Sequence, residues 1–178
     1  AFSMAVNDVR YFLNGVLLHI DGGVIRAVAP DGHRMAYSAS YAECESVGEA
    51  KLILPKKGVT GLQKVLSLAG ESVMLSLSDN HLRVNGENLT FTTKMVDGNY
   101  PDYNRVIPQN GDKEVNVNKS EITSALSRVA ILSNEKFRGV RLTIKDGQLV
   151  LEANNPEQEQ AKEIVDVISQ RGDSLEIG

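Results

Sequence analysis

This 178-residue sequence offers little for a covalent or metal-bound scaffold, since it contains a single cysteine. One thiol can form neither an internal disulfide nor the paired cysteines of a structural zinc site. Cys44 is therefore expected to be a small, partly buried residue of a protein in a reducing compartment.

Long apolar runs are also missing. No stretch approaches the roughly 18 to 20 apolar residues that a membrane-spanning helix needs. The first residues, AFSMAVNDVRY, lack the basic start and long apolar core of a signal peptide. With 42% apolar and 24% charged residues, the composition is typical of a globular protein. The sequence thus predicts a cytoplasmic protein with no membrane partner.

Catalytic and metal-binding motifs are absent as well, since the sequence has no HExxH, GxSxG, phosphate-binding glycine loop or cysteine cluster. His19 alternates within a predicted strand and is expected to point outward, and His81 belongs to a turn. His33 lies in a second turn, from Pro30 to Met35, which either is an ordinary surface turn or presents an imidazole and a guanidinium. We predict that the protein is not an enzyme and holds no metal or cofactor.

The net charge is −4, which argues against a protein that grips nucleic acid through a large basic surface. The distribution of the charges is uneven. Residues 119–145 include six basic and two acidic residues, whereas residues 146–178 include eight acidic and two basic ones. The last third of the chain is therefore expected to have one basic and one acidic surface.

A repeated unit organises the chain. Residues 15–29 (GVLLHIDGGVIRAVA) and 139–153 (GVRLTIKDGQLVLEA) superimpose at a constant spacing of 124 residues. Each contains two segments of alternating apolar residues around a glycine turn, which predicts a β-hairpin. A looser hairpin is expected between Val73 and Val84. The same spacing places residues 1–3 in the middle of a helix, so the chain is expected to begin inside a helix whose leading strand is absent.

Two amphipathic helices are predicted before the later hairpins. The first has its apolar stripe at Val59, Leu62, Leu66 and Ala69 and a stop at Gly70. The second has its stripe at Ile122, Ala125, Leu126, Val129 and Ala130 and an N-cap at Ser120. The repeated unit is therefore a strand, a helix, a hairpin and a further strand, which predicts an α+β fold.

The outward faces of both helices lack an acidic side chain at their centres. They include Lys57, Gly61 and Lys64 on the first helix, and Ser120, Ser124, Ser127 and Arg128 on the second. An ordinary solvated face explains each helix alone, whereas its repetition favours a surface that contacts the phosphates of a polyanion.

Ile131 and Leu132 interrupt the pattern of the second helix, because Ile131 points away from the apolar stripe and Leu132 lies at its rim. Two large aliphatic side chains thus occupy positions where a surface helix is polar. Either a following loop buries the end of the helix, or this is an interface with another chain.

Residues 91–108, FTTKMVDGNYPDYNRVIP, predict an exit from one domain into another. An alternating strand ends there, and Asp97 and Gly98 favour a turn. Two prolines then exclude a helix and favour extended geometry. We expect a stiff interdomain connector that displays Tyr103, Arg105 and Val106.

The chain resembles the bacterial replication sliding clamps, the β subunits of DNA polymerase III. Six segments in the same order carry the resemblance: DVRYFLNG (8–15), APDGHRMA (29–36), LPKKGV (54–59), KMVDGNYPDY (94–103), AILSNEKFRGVRL (130–142) and ANNPEQEQA (153–161). The family forms head-to-tail dimers of three similar domains, in a ring with antiparallel sheets outside and helices on the DNA-facing side. The resemblance therefore implies an α+β DNA-clamp fold.

The resemblance also implies a domain division and a function. Residues 1–112 would form the middle clamp domain without its first strand and part of its first helix, and residues 113–178 the first half of the C-terminal domain. The function would be that of a processivity factor of the replicative DNA polymerase. The implied partners are encircled duplex DNA, DNA polymerases, the clamp loader, mismatch-repair and other proteins with clamp-binding motifs, and a second copy of the protein.

Three sets of site residues follow from the resemblance. A pocket for short peptide motifs would be formed by Arg10, Leu13, Pro30, Gly32, His33, Arg34, Met35, Pro101, Arg105 and Val106, with Pro30 where the family more often has threonine. The dimer interface would include Ile131, Leu132, Glu157, Glu159 and Glu163. The DNA-facing residues would be Asn7, Tyr11, Lys57, Lys64, Arg128 and Lys136.

Two alternatives stay open at this stage. The first is a β-rich adaptor that never encircles DNA. The second is an enzyme whose substrate site forms with segments outside this sequence.

Overall fold

The computed structural model describes residues 2–42, 48–109, 111–134, 136, 138–172 and 175–177, and for the last three only the backbone. Cys44, for which a partly buried position was predicted, lies outside these residues. The chain divides into two compact units, Ala1–Ile107 and Pro108–Gly178. The sequence had placed this division a few residues later, after residue 112.

The first unit opens with a four-stranded antiparallel sheet. Its strands are β1 (Gly15–Asp21), β2 (Val24–Pro30), β3 (Met35–Tyr41) and β4 (Ala50–Pro55), in the order β3-β2-β1-β4. The predicted hairpin is confirmed by the pairing of β1 with β2, from Leu17 opposite Val28 to Asp21 opposite Val24. Gly22 and Gly23 close it at positive φ, where other residues are strained.

Apolar residues cover both faces of this sheet. On one face Val16, Ala29 and Leu54 belong to a core cluster that continues into the rest of the unit. On the other face Leu17, Val28 and Ile53 form a second cluster, which buries Tyr103. The sheet is therefore sandwiched between the helix of the unit and the segment that was predicted to be a connector.

Helix α1 (Lys56–Leu66) and the strands β5 (Met74–Leu77), β6 (His81–Asn85) and β7 (Thr90–Lys94) complete the first unit. The second predicted hairpin is confirmed by the pairing of β5 with β6. The prediction that Gly61 faces outward is wrong, because a Cβ atom there would lie 2.7 Å from the Phe91 ring. The absence of a side chain lets α1 approach β7 closely.

The second unit has a five-stranded antiparallel sheet and helix α2 (Lys119–Val129). The strands are β8 (Glu114–Val117), β9 (Arg141–Lys145), β10 (Gln148–Asn154), β11 (Gln160–Arg171) and β12 (Leu175–Ile177), in the order β12-β9-β10-β11-β8. The pairing of β9 with β10 confirms the third hairpin. Ala125 and Val129 of α2 pack against Leu149, Leu151 and other residues of the sheet.

Two local predictions about helices need correction. The N-cap of α2 is Asn118 and not Ser120, because the Asn118 side chain accepts hydrogen bonds from the backbone N–H groups of Ser120 and Glu121. Phe2 and Ser3 form a turn and not the middle of a helix. Asn7, at φ 59°, lies outside the right-handed helical range, so no helix continues from this turn, and the 3-10 helix Tyr11–Asn14 begins after it. Among the described residues, no helix is both long and apolar enough to cross a membrane.

Candidate functional site

The ten residues of the predicted peptide pocket all belong to the first unit and come from three segments. Arg10 and Leu13 lie in and before the 3-10 helix Tyr11–Asn14, which leads into β1. A second segment joins β2 to β3, where Pro30 is paired with Met35. The third segment is the stretch after β7, which includes Pro101, Arg105 and Val106.

Three residues of the predicted pocket are apolar and at least half-buried. Leu13 is only 5% exposed. Met35 is half-buried and packs against the cluster of Leu17, Val28 and Tyr103. Pro30 is also half-buried. Apolar residues of this kind suit the aliphatic or aromatic side chains of a ligand, and methionine can adjust its shape to different ones.

The segment from residue 96 to 107, here called the connector, lies on the sheet and not in solvent. The Tyr100 ring meets the Phe12 ring edge-on, with centroids 6.3 Å apart. Tyr103 is 6% exposed, so the prediction that the connector displays it is wrong. Arg105 and Val106 are exposed, as predicted, and Val106 is 65% accessible. The half-buried Tyr100 and the buried Tyr103 therefore anchor the connector, whose exposed edge includes Pro101, Arg105 and Val106.

The Tyr103 hydroxyl reaches a polar group on β1. It lies 2.8 Å from Nδ1 of His19, whose Nε2 is 3.1 Å from a carboxylate oxygen of Glu49. Lys51 completes the chain with an ion pair of 2.6 Å to Glu49. The prediction that His19 points outward is thus wrong, since its side chain is only 12% exposed and lies under the connector. Sequence alternation could not reveal this, because the covering residue is 84 positions away.

Each arginine of the predicted pocket has an aspartate two or three residues before it. Arg10 donates two hydrogen bonds to the Asp8 carboxylate, at 2.9 and 2.7 Å. These bonds hold the pKa of Asp8 at about 2. Residues Arg34 and Arg105 make ion pairs with Asp31 and Asp102, at 2.9 and 3.4 Å. Sequence analysis missed these acidic partners, although the spacing of aspartate before arginine was visible.

The loop between β2 and β3 contains three further residues of the predicted pocket, Gly32, His33 and Arg34. Asp31 accepts hydrogen bonds from the backbone N–H groups of His33 and Arg34, and these bonds lower the pKa of its carboxyl group. Gly32, at φ 94°, leaves room for the Arg10 guanidinium, whose Nη2 atom would lie 3.2 Å from a Cβ atom at this position. The His33 side chain is exposed. Arg10 and Gly32 are thereby brought together.

The predicted DNA-facing residues are exposed and lie in both units. Lys57 and Lys64 lie on the exposed face of α1, and Asn7 and Tyr11 are exposed ahead of β1. Lys136 is exposed in the second unit. The remaining residue, Arg128 of α2, donates hydrogen bonds of 2.7 and 2.9 Å to Glu163 of β11, so its charge is largely neutralised.

Residues of the predicted dimer interface lie in the second unit. Ile131 is 78% exposed in the 3-10 helix Ala130–Leu132, so the alternative of a helix end buried by the following loop does not hold for it. Leu132 is half-buried. Glu157 is exposed, whereas Glu159 accepts a hydrogen bond from the Asn155 side chain.

A groove of about 670 Å³ that the sequence did not predict lies in the second unit. It is bordered by Asn134, Arg141, Glu152, Asn155 and Lys162, with Ala153 and Ala161 among its apolar contacts. In the part of the chain that the structure describes, no group of three His, Cys, Asp or Glu residues could hold a metal ion.

Both units match models of one protein family. Residues 1–102 match the DNA polymerase III beta subunit, central domain, and residues 104–178 match the C-terminal domain of the same subunit. The chain belongs to the DNA polymerase III β-subunit family.

Relatives of this family match the chain over nearly its full length. It is 47% identical to the Beta sliding clamp of Pseudomonas aeruginosa over 178 residues and 45% identical to that of Escherichia coli over 177. The two alignments cover 100% and 99% of this chain but only 48% of each relative. The chain thus spans about half the length of the curated β subunits that it matches.

Solved sliding-clamp structures confirm the α+β clamp fold. A crystal structure of the P. aeruginosa β subunit superimposes with a TM-score of 0.92 at 46% identity, covering 99% of this chain and 48% of that one. The C. crescentus beta sliding clamp gives a TM-score of 0.87 at 34% identity, with the same coverage. Another P. aeruginosa sliding clamp, bound to griselimycin, gives a TM-score of 0.91 at 46% identity, over 99% of this chain and 47% of that one.

The half-buried Tyr100 predicts a pH dependence of the stability of the first unit. Burial raises the pKa of Tyr100 to about 12, whereas an unfolded tyrosine titrates near ~10. The folded state therefore holds this proton more tightly. The stabilisation is complete below about pH 10 and is lost as the pH rises through about 12.

The Tyr100→Phe variant should therefore lose less stability between pH 10 and 12 than the unmodified chain, as measured by urea unfolding at several pH values. Tyr41→Phe is the matched control, because Tyr41 is 90% exposed. Parallel stability curves for the Tyr100→Phe variant and the unmodified chain would contradict the prediction.

Proposed function

We propose that this chain forms the central and C-terminal parts of a ring-shaped dimeric clamp, the processivity factor of a replicative DNA polymerase. The central domain would end near residue 112. The observation that carries the proposal is the match to two successive domains of one clamp family, each on its own compact unit. The role is non-catalytic, requires no cofactor, and is exercised in the cytoplasm.

A clamp holds DNA by encircling it, so its affinity need not come from neutralised phosphates. This accounts for a net charge of −4 in a protein that works on DNA. The exposed Lys57 and Lys64 of α1 would face the duplex and contact phosphates without reading sequence. Asn7, Tyr11 and Lys136 would support them, and Arg128 would do so only if it exchanged Glu163 for a phosphate.

The proposed peptide pocket tethers the partners. Its apolar floor, Leu13 and Met35, would receive aliphatic or aromatic side chains of an extended motif. Its arginines would orient the backbone carbonyls or a glutamine side chain. Polymerases, the clamp loader and mismatch-repair proteins would each present such a motif and would therefore compete for the same pocket.

The deciding experiment is retention on DNA. A complete clamp carrying this sequence should remain on a nicked circular plasmid after loading by a clamp loader, and should leave within minutes when the plasmid is linearised. The retention should resist ~0.5 M salt, because it is topological and not electrostatic. Loss from the circular plasmid at the same rate as from the linear one would favour an adaptor that never encircles DNA.

The 178-residue chain by itself should not hold linear duplex DNA. Four of its arginines already bind carboxylates: Arg128 binds Glu163, and the three arginines of the pocket bind aspartates. Binding should be undetectable by fluorescence anisotropy at physiological salt and micromolar protein. Tight, salt-resistant binding to linear duplex would contradict both this expectation and the topological mechanism.

A further inference from the structure

Tyr103 fixes the middle of the connector. Its ring is 6% exposed and packs in the cluster of Leu17, Val28 and Ile53. The backbone of Tyr103 also takes part in the turn that follows it, because the N–H of Val106 donates to the carbonyl of Tyr103 at 3.2 Å. The orientation of Tyr103 therefore sets where Arg105 and Val106 emerge.

The apolar cluster restrains the ring of Tyr103, whereas its hydroxyl needs a polar partner. In the described part of the chain it finds this partner in Nδ1 of His19, at 2.8 Å, and the two rings meet edge-on with centroids 6.0 Å apart. Without this partner a nearly buried hydroxyl would be unpaired, which disfavours the observed position of the connector.

The His19 ring is itself held from the other side. Its Nε2 lies 3.1 Å from Glu49, and Glu49 is paired with Lys51 at 2.6 Å. A single tautomer satisfies all three groups: Nε2–H donates to the Glu49 carboxylate, and Nδ1 accepts from the Tyr103 hydroxyl. The imidazole is thereby fixed in one orientation beneath the connector.

We propose that His19 is a positioning residue for the peptide pocket. It does not touch the peptide; it holds Tyr103, and through Tyr103 it holds the wall formed by Pro101, Arg105 and Val106. The inference rests on the proposed function in that a peptide must bind at this wall. Its consequence is that affinity at the pocket depends on a histidine that lies on the other side of the connector.

Four single variants test the inference, together with the double variant that combines Tyr103→Phe with His19→Leu. Tyr103→Phe removes the hydroxyl and keeps the ring, and His19→Leu removes the acceptor. His19→Asn retains an acceptor oxygen close to the position of Nδ1 and should restore the bond to Tyr103. Tyr37→Phe is the matched control, because the Tyr37 ring lies 6.1 Å from that of Tyr103 but its hydroxyl is not part of the His19 chain.

Two quantities are measured at a temperature at which near-ultraviolet circular dichroism shows every variant folded. The first is the affinity for a labelled, polymerase-derived clamp-binding pentapeptide. The second is the hydrogen-exchange rate of the backbone amides of Arg105 and Val106, which are hydrogen-bonded within the connector. The exchange rate reports on the connector whether or not a peptide binds.

We expect Tyr103→Phe and His19→Leu each to weaken peptide binding about fivefold, which corresponds to about 1 kcal/mol at 1.4 kcal/mol per tenfold. The double variant should lose no more than either single one, because both remove the same bond. Exchange at Arg105 and Val106 should accelerate in parallel. The peptide affinity of His19→Asn should be within about twofold of that of the unmodified chain. Tyr37→Phe should change neither the affinity nor the exchange rates.

Additive losses in the double variant, or unchanged affinity and exchange for Tyr103→Phe, would overturn the inference. If the unmodified chain does not bind the peptide, the proposed function fails. The exchange rates then still decide the structural half of the inference: faster exchange in His19→Leu supports it, and unchanged exchange overturns it.

Discussion

Replacing Val106 by aspartate should abolish binding of a clamp-binding pentapeptide, and Leu13→Asp should do the same. Each change places a carboxylate on the apolar surface that would receive the peptide's aliphatic and aromatic side chains, where an unpaired charge is costly. Val106 is 65% exposed, so its replacement should leave the fold intact. Leu13 is 5% exposed, so its replacement could also unfold the unit.

Calorimetry with the same pentapeptide measures this effect, and Leu68→Asp is the control. Leu68 is 76% exposed in the same unit but lies outside the proposed pocket. The unmodified chain should bind at least tenfold more weakly than a complete clamp, because it spans only 48% of the length of the clamp that it matches, and a pocket completed by other residues would bury more of the peptide. Full affinity of the Val106→Asp variant, or equal affinity of the chain and the complete clamp, would show that the pocket lies elsewhere.

The second large effect is expected at the proposed dimer interface. Replacing Ile131 and Leu132 together by alanine in a complete clamp carrying this sequence should shift the ring toward monomers. Ile131 is 78% exposed in the second unit, where it could pack against another subunit. Buried aliphatic anchors at an interface often contribute over ~2 kcal/mol each, so the dimer dissociation constant should rise by more than about 100-fold.

Analytical ultracentrifugation at nanomolar concentration measures the shift. Ile168→Ala is the control, since Ile168 is 71% exposed on β11 and was not assigned to the interface. An unchanged dimer mass in the Ile131 and Leu132 variant would remove both residues from the interface. Loss of the dimer in the control would instead indicate that much of this unit's surface takes part.

The hairpins and the two α-helices could be predicted from sequence because each depends on a local period, whereas the 3-10 helix Tyr103–Arg105 lies where two prolines were expected to exclude a helix. Alternation in residues 15–29 predicted β1 and β2, and it also predicted β9 and β10 at the same spacing. The exposed Ile131 followed from the helical period in the same way. The residues of the pocket, in contrast, came from a family resemblance, and their role is a proposal.

What the sequence could not predict depends on contacts between distant segments. The wheel of α1 placed Gly61 outward, but packing against Phe91 turns that side of the helix toward β7. His19 and Tyr103 were both assigned to the surface, although each buries the other. Local periodicity reports which face of an element is apolar, and it does not report a polar pair buried between two elements.

The aspartate beside each arginine also bears on ligand selection. A guanidinium that already binds a carboxylate has little electrostatic attraction left for a second anion, and an acidic ligand would meet Asp8, Asp31 and Asp102 at short range. A neutral acceptor such as an amide oxygen can instead use the N–H groups that the carboxylate leaves free. At the proposed pocket these pairs would therefore disfavour acidic ligands, and the three arginines would act as oriented donors for uncharged groups.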